Sequence, residues 1–94
     1  MDKQETIHKN IRIKGRVQGV GFRYAALKAA DSMEIKGYVR NLPDGDVYIE
    51  AEGTSVQMNN FLLWCKEGPS LAKIQHMDII NGAVSGFNEF TVRY

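Results

Sequence analysis

The stretch GRVQGVGFR, from Gly15 to Arg23, places three glycines between a segment of alternating apolar residues and a segment with helical spacing. It therefore predicts a turn from a strand into a helix. Glycines allow consecutive backbone N–H groups to point toward one centre, and a helix N-terminus adds unpaired donors and positive potential. Arg23, in the first helical turn, adds a guanidinium that suits phosphate oxygens. The stretch predicts an anion cradle, with a glycine-rich turn beside an ordinary surface arginine as the alternative.

The segments around this turn carry strand and helix patterns in succession. Ile7 to Lys14 alternates apolar and polar residues and predicts a strand, whereas Phe22 to Met33 has apolar and alanine residues at helical spacing. Ile35 to Leu42 and Asp46 to Glu52 are both strand-like. Because proline, aspartate and glycine lie between them, these two strands are predicted to form a hairpin.

The second half of the chain predicts one more helix and two more strands. Thr54 and Gln57 have the spacing of a capping box and precede an apolar helical stripe, which Gly68–Pro69 ends. Leu71 to Ile80 is predicted as a strand, and Phe90 to Tyr94 as a short C-terminal strand. The resulting order is βαββαβ with a terminal strand.

This order predicts a single α+β domain over residues 1–94, with a ferredoxin-like fold. Right-handed connections between strands of one antiparallel sheet would place both helices on the same face. Many unrelated functions use this topology, so the function must be argued from the site.

Composition excludes several functional classes. The 94 residues contain 12 lysines and arginines and 11 aspartates and glutamates, and the formal net charge of +1 favours neither nucleic acid nor an anionic membrane as partner. The single cysteine, Cys65, excludes an internal disulfide and lies in an apolar run, which predicts burial. Met1 to Thr6 lacks the apolar core of a leader, and no run reaches the ~18 residues of a membrane span. We therefore expect a cytoplasmic protein.

Two motifs together resemble the acylphosphatase family. The stretch from Gly15 to Arg23 is similar to its phosphate loop, and Gly37 to Asn41, followed by Pro43-Asp44-Gly45, is similar to its second signature. Tyr38 stands where the family often has tryptophan, and Met77 to Asn88 is the least similar stretch. The resemblance otherwise covers most of the chain and includes Glu52–Gly53, Gly68–Pro69 and Phe90–Tyr94.

The resemblance implies an enzyme that hydrolyses acyl phosphates, and it implies specific roles. Arg23 would bind the phosphoryl group, and Asn41 would orient the attacking water. Local patterning alone also allows Asn41 to be a turn asparagine. The guanidinium of Arg16 is expected to point to solvent, with added positive potential at the cradle as the alternative. The backbone amides that would share in phosphoryl binding belong to Arg16, Val17, Gln18, Gly19, Val20 and Gly21.

Hydrolysis of an acyl phosphate requires few catalytic groups, so the loop amides, Arg23 and Asn41 would suffice. Phosphoryl transfer depends mainly on positioning and on stabilising charge at the phosphoryl oxygens. The leaving carboxylate has a pKa near about 4, so it departs without a general acid. Neither motif contains a histidine, a cysteine or a paired-carboxylate site, and we expect acyl phosphates to be preferred over simple phosphate esters. Asn41 can accept a hydrogen bond from water but cannot act as a general base.

The remaining polar residues are assigned to other tasks. His8 and His76 are far apart in sequence, and no cluster has metal-ligand spacing, so we expect neither a metal nor a cofactor. Asp44 and Asp46 flank Gly45 and are explained by turn propensity. The substrate is expected to be a small molecule and the protein a monomer without nucleic acid or membrane partners.

Two other functions stay open at this stage. A non-catalytic phosphate-binding module is one, because similar domains occur within larger carbamoyl-transfer proteins, although a chain of 94 residues argues against it. RNA binding by a ferredoxin-like sheet is the other, although the tyrosines and Trp64 do not form the required pattern of aromatic and basic residues.

Overall fold

The computed structural model describes residues 5–94. Because Met1 to Gln4 lie outside this range, the expectation of no leader sequence falls partly beyond the described residues. The elements follow the predicted order, and β1 and β4 each extend two residues beyond the predicted end. They are β1 (Ile7–Arg16), α1 (Phe22–Ser32), β2 (Lys36–Asn41), β3 (Val47–Gly53), α2 (Ser55–Glu67), β4 (Lys73–Gly82) and β5 (Phe90–Arg93).

The strands form one open sheet with the order β4-β1-β3-β2-β5. All pairs among the first four strands are antiparallel, which is the ferredoxin-like arrangement predicted above. The fifth strand pairs with β2 in parallel, so the complete sheet is mixed. Residues 83–89 carry the chain from one edge of the sheet to the other. The ends of β1 and β2 that carry the two motifs lie on opposite sides of β3, near its first residue.

Both helices pack on one face of the sheet and enclose the core. Ala26, Ala29 and Ala30 are buried in α1, and these small side chains let the helix approach the strands closely. Cys65 is fully buried in α2, as predicted, and burial raises the pKa of its thiol. Thr54 and Gln57 form the predicted capping box at the start of α2. No helix between residues 5 and 94 is long and apolar enough to cross a membrane.

A buried ion pair holds residues 83–89, which connect β4 to β5, against the face of the sheet opposite the helices. His8 and Glu52 are 4% and 2% exposed, and Nδ1 of His8 lies 2.6 Å from Oε2 of Glu52. Glu52 also accepts hydrogen bonds from the amides of Ser85, Gly86 and Phe87. Burial alone would raise the pKa of Glu52, but these bonds outweigh burial and lower it. The alternation of β1 correctly placed His8 opposite the core, but the pattern of the strand could not show that it is buried there.

His8 carries the complementary charge. Burial disfavours its charged form, but hydrogen bonds with Glu52 and Asn10 and the nearby carboxylates of Glu52 and Glu50 outweigh burial and raise its pKa. Nε2 lies 2.7 Å from Oδ1 of Asn10 and 3.4 Å from Oε1 of Glu50, so both ring nitrogens face acceptors. An imidazolium, which donates from both nitrogens, fits this environment.

Glu52→Gln is expected to lower the free energy of unfolding by about 2 kcal/mol near pH 5.5, because charged hydrogen bonds are replaced by weaker ones. The contribution of ionised Glu52 is complete above its ordinary pKa of 4.5 and is lost as the pH falls through its lower folded value. The contribution of charged His8 is complete below its ordinary pKa of 6.5 and is lost as the pH rises through its higher folded value. Urea unfolding should be measured from pH 3 to 9. The free energies of unfolding of wild type and variant should differ most between pH 4.5 and 6.5, the ordinary pKa values of the two groups. A difference that does not change with pH would contradict the ion pair.

Candidate active site

The loop between β1 and α1 leaves a set of backbone donors open. Gly19 and Gly21 adopt φ values of 75° and 76°, and a Cβ atom at either position would have no atom within 4 Å. The first backbone bond of α1 runs from the amide of Ala25 to the carbonyl of Gly21, at 3.0 Å. Among the described residues no side chain caps this end, and the first turn contains no acidic residue. The amides of the first helical turn are therefore available to an anion.

These donors border a cavity of about 220 Å³, which is small compared with the sites of drug-sized ligands. It brings together the loop, the start of α1, the end of β2 and the end of the chain. None of the lining residues is acidic. They are Val17, Gly19, Gly21, Phe22, Arg23, Tyr24, Asn41, Val92 and Tyr94. The cavity therefore unites Arg23, in the first turn of α1, with Asn41, the last residue of β2.

Arg23 is the cation of this cavity. Its side chain is half-buried, and Nη1 donates to the carbonyl of Arg93 over 3.4 Å. Its guanidinium carbon lies 4.6 Å from the centre of the Tyr94 ring, within the range of a cation–π contact. Within residues 5–94 its guanidinium takes part in none of the ion pairs. Contacts with β5 thus hold the side chain while its charge is not neutralised by a carboxylate.

Asn41 is the last residue of β2 and pairs with Val47 across the hairpin. Its side chain is half-buried, and it lines the cavity. Neighbouring residues of a strand point to opposite faces, so Arg40 points away from the cavity, toward Tyr48 on the other face. The end of β2 therefore presents the asparagine, and not the arginine beside it, to the loop.

The turn after Asn41 is stabilised by the two aspartates assigned to it from the sequence. The amide of Asp46 donates to Oδ1 of Asp44 over 3.0 Å. Both carboxylates contact Arg12, and Asp46 also accepts a hydrogen bond from Lys14. The hydrogen bond from Arg12 lowers the pKa of Asp46 below its ordinary value. The hydrogen bond from the amide of Asp46 does the same for the pKa of Asp44. Both aspartates point to cations outside the cavity.

Three loop residues predicted to contribute to substrate binding do not line the cavity. Arg16 is exposed at the end of β1, in agreement with the expectation for its guanidinium. Val20 is half-buried against the core. Gln18 turns its side chain toward the hairpin, where Nε2 donates to the carbonyls of Leu42 and Asp46.

Four residues of the cavity were not predicted as site residues. Phe22 and Tyr24 flank Arg23 in α1, and Val92 and Tyr94 belong to the C-terminal segment, which was predicted as a strand. Its alternation reveals a strand but not its partner. Because β5 pairs with β2 and not with its sequence neighbour β4, it reaches the edge nearest Asn41. A long-range pairing of this kind leaves no signal in a single sequence.

Comparison with known proteins places this geometry in a family. The family model described as Acylphosphatase matches residues 9–92, a range that contains both motifs. The chain belongs to the acylphosphatase family. It is 43% identical over 84 residues to an acylphosphatase of Archaeoglobus fulgidus, with 89% of this chain and 94% of that protein covered. An acylphosphatase of Thermotoga maritima is 40% identical over 84 residues, with coverage of 89% and 93%.

Solved structures show the same fold. The enzyme of Bacillus subtilis superposes with a TM-score of 0.91 at 34% identity and covers 94% of this chain and 99% of its own. Full-length HypF, in a phosphate- and nucleotide-bound form, has a TM-score of 0.89 at 29% identity over 99% of this chain but only 12% of its own. The predicted family, ferredoxin-like fold and acylphosphatase function are confirmed, and the activity is that of a hydrolase.

Proposed function

We propose that this acylphosphatase holds the phosphoryl group of an acyl phosphate with loop amides and Arg23 while Asn41 orients the attacking water. One observation supports this most strongly. The uncapped start of α1, the guanidinium of Arg23 and the side chain of Asn41 border the same small cavity. An accessory phosphate-binding module would need the first two groups but has no use for Asn41.

The phosphoryl oxygens are bound by two kinds of donor. The amides at the glycine-rich turn and the start of α1 supply fixed dipoles, and Arg23 supplies a charge that the cavity does not neutralise. These groups stabilise negative charge on the equatorial oxygens as the bond to the leaving group lengthens. Since they are held by the backbone and by β5, little reorganisation accompanies the reaction.

Asn41 orients water for attack on phosphorus. Its side-chain oxygen accepts a hydrogen bond from the water. The bond between phosphorus and the carboxylate oxygen breaks as the bond to the water oxygen forms. The products are a carboxylate and inorganic phosphate, which carries away the protons of the water.

The reaction proceeds without a metal or cofactor. Residues 5–94 contain no group of three or more histidine, cysteine or acidic side chains arranged to hold a metal. The positive charge needed at the phosphoryl group is assigned to Arg23 and to the helix. We place the enzyme in the cytoplasm as a monomer acting on small acyl phosphates.

Turnover of benzoyl phosphate is expected to be unchanged by excess chelator.

Phenyl phosphate is the comparison substrate for the leaving-group argument. Its leaving group has the pKa of a phenol, about 10, whereas that of benzoyl phosphate has the pKa of a carboxylic acid, about 4. Without a general acid, hydrolysis of the phenyl ester should be at least about 10³-fold slower. Both rates can be followed by release of inorganic phosphate.

Three outcomes would count against this proposal. Loss of activity with chelator would contradict a metal-independent reaction. Similar rates for the two substrates would contradict the leaving-group argument. Phosphate binding in a calorimeter without turnover of benzoyl phosphate would favour the accessory module instead.

A further inference from the structure

The side chain of Gln18 connects the phosphate loop to the hairpin that carries Asn41. Its Nε2 donates to the carbonyl oxygens of Leu42 and Asp46, each over 2.8 Å. A primary amide nitrogen has two hydrogens, so both are used. The same two residues close the turn, because the amide of Leu42 donates to the carbonyl of Asp46 over 2.8 Å. Gln18 therefore adds two further hydrogen bonds to the turn immediately after Asn41.

We propose that Gln18 is a positioning residue that sets the placement of Asn41 relative to the phosphate loop. The inference rests on the proposed role of Asn41 in orienting water. Gln18 does not line the cavity, so its side chain acts through the hairpin rather than on the substrate. It controls the alignment of the water and leaves phosphate affinity to the amides and Arg23.

The bonds of Gln18 directly connect the phosphate loop to the hairpin turn. Over the described residues, the bonds of Gln18 are the only hydrogen bonds between loop residues 17–21 and turn residues 42–46. The loop glycines offer little packing of their own, because open space surrounds the Cβ directions of Gly19 and Gly21. Reactions between aligned groups are sensitive to small displacements, and a shift of about 1 Å can cost about a hundredfold in rate.

The test compares Gln18→Met with Gln57→Met. Both replacements remove a side-chain amide, but Gln57 accepts its bond from the amide of Thr54, at the other end of β3 from the hairpin turn. Gln18→Met is expected to lower kcat for benzoyl phosphate about tenfold to a hundredfold. Its KM and the inhibition constant of inorganic phosphate should change less than about twofold. Gln57→Met should leave all three constants within about twofold of wild type.

A double variant shows whether Gln18 acts through Asn41. In the Asn41→Ala background, Gln18→Met should lower kcat by less than about twofold, since the group that it positions is already absent. Hydrogen exchange gives a readout that does not depend on activity. The amides of Leu42 and Gly45, which bond within the turn, should exchange faster in Gln18→Met but not in Gln57→Met.

The outcomes separate this inference from the proposed function. An inactive wild type would overturn the proposed function and the role of Gln18 with it. An active wild type with an equally active Gln18→Met would overturn the inference alone, as would a full additional loss in the Asn41→Ala background. A large rise in the inhibition constant of phosphate, with kcat unchanged, would show that Gln18 serves phosphate binding instead.

Discussion

Arg23→Ala is expected to lower kcat/KM for an acyl phosphate by about 10³-fold or more, because an arginine that stabilises a phosphoryl transition state contributes about 10³ to 10⁵ in rate. Arg23 is the only cationic side chain among the residues that line the cavity. The backbone amides would remain, but they carry only partial charges. Phosphate release from benzoyl phosphate, with protein at high concentration, measures the residual rate.

Two further variants sharpen this result. Arg23→Lys retains the charge but loses the planar fork, so it should recover only a small part of the lost rate. Arg40→Ala is the matched control, because Arg40 is exposed and approaches Tyr48 on the opposite face of the sheet. The control should stay within about twofold of wild type. Equal losses for Arg23→Ala and Arg40→Ala would point to a general effect of net charge and not to phosphoryl binding.

Asn41→Ala is expected to lower kcat by about 10² to 10³, the usual cost of removing a fixed polar group that acts in the transition state. Phosphate affinity should stay within about threefold of wild type, because Arg23 and the loop amides are retained. The variant should also fold, since Asn41 contributes to β2 through its backbone pairing with Val47. Steady-state kinetics and calorimetric phosphate binding on the same preparation separate the two effects.

The control for this variant is Asn60→Ala on α2. Asn60 is exposed and is absent from the cavity lining, so its loss should leave kcat unchanged. Wild-type turnover by Asn41→Ala would remove the asparagine from the mechanism and return it to the role of a turn residue. A parallel fall in phosphate affinity would instead place Asn41 among the phosphate-binding groups.

Local patterns predicted most helices and strands because the signals that start, stop and orient them lie within a few neighbouring residues. The apolar alternation of β1 and β3, the capping box at Thr54 and the turn residues around Gly45 each act over a few neighbouring positions. The structure confirms these elements, with shifts of one or two residues at several ends. Such shifts arise because the end of a strand depends on its pairing partner. β4 extends to Gly82 because that residue still pairs with His8 of β1.

The sequence by itself determined the family, the order of the elements and the residues of the two motifs, Arg23 and Asn41 among them. These features reside in residue identity and short spacing, which a single chain displays directly. Tertiary structure alone decided that β5 lies beside β2, that Tyr94 contacts Arg23, and that Gln18 reaches the hairpin turn. It also decided that His8 and Glu52 form a buried ion pair. All four join groups separated by many residues, and their energies depend on distances that only the folded chain establishes.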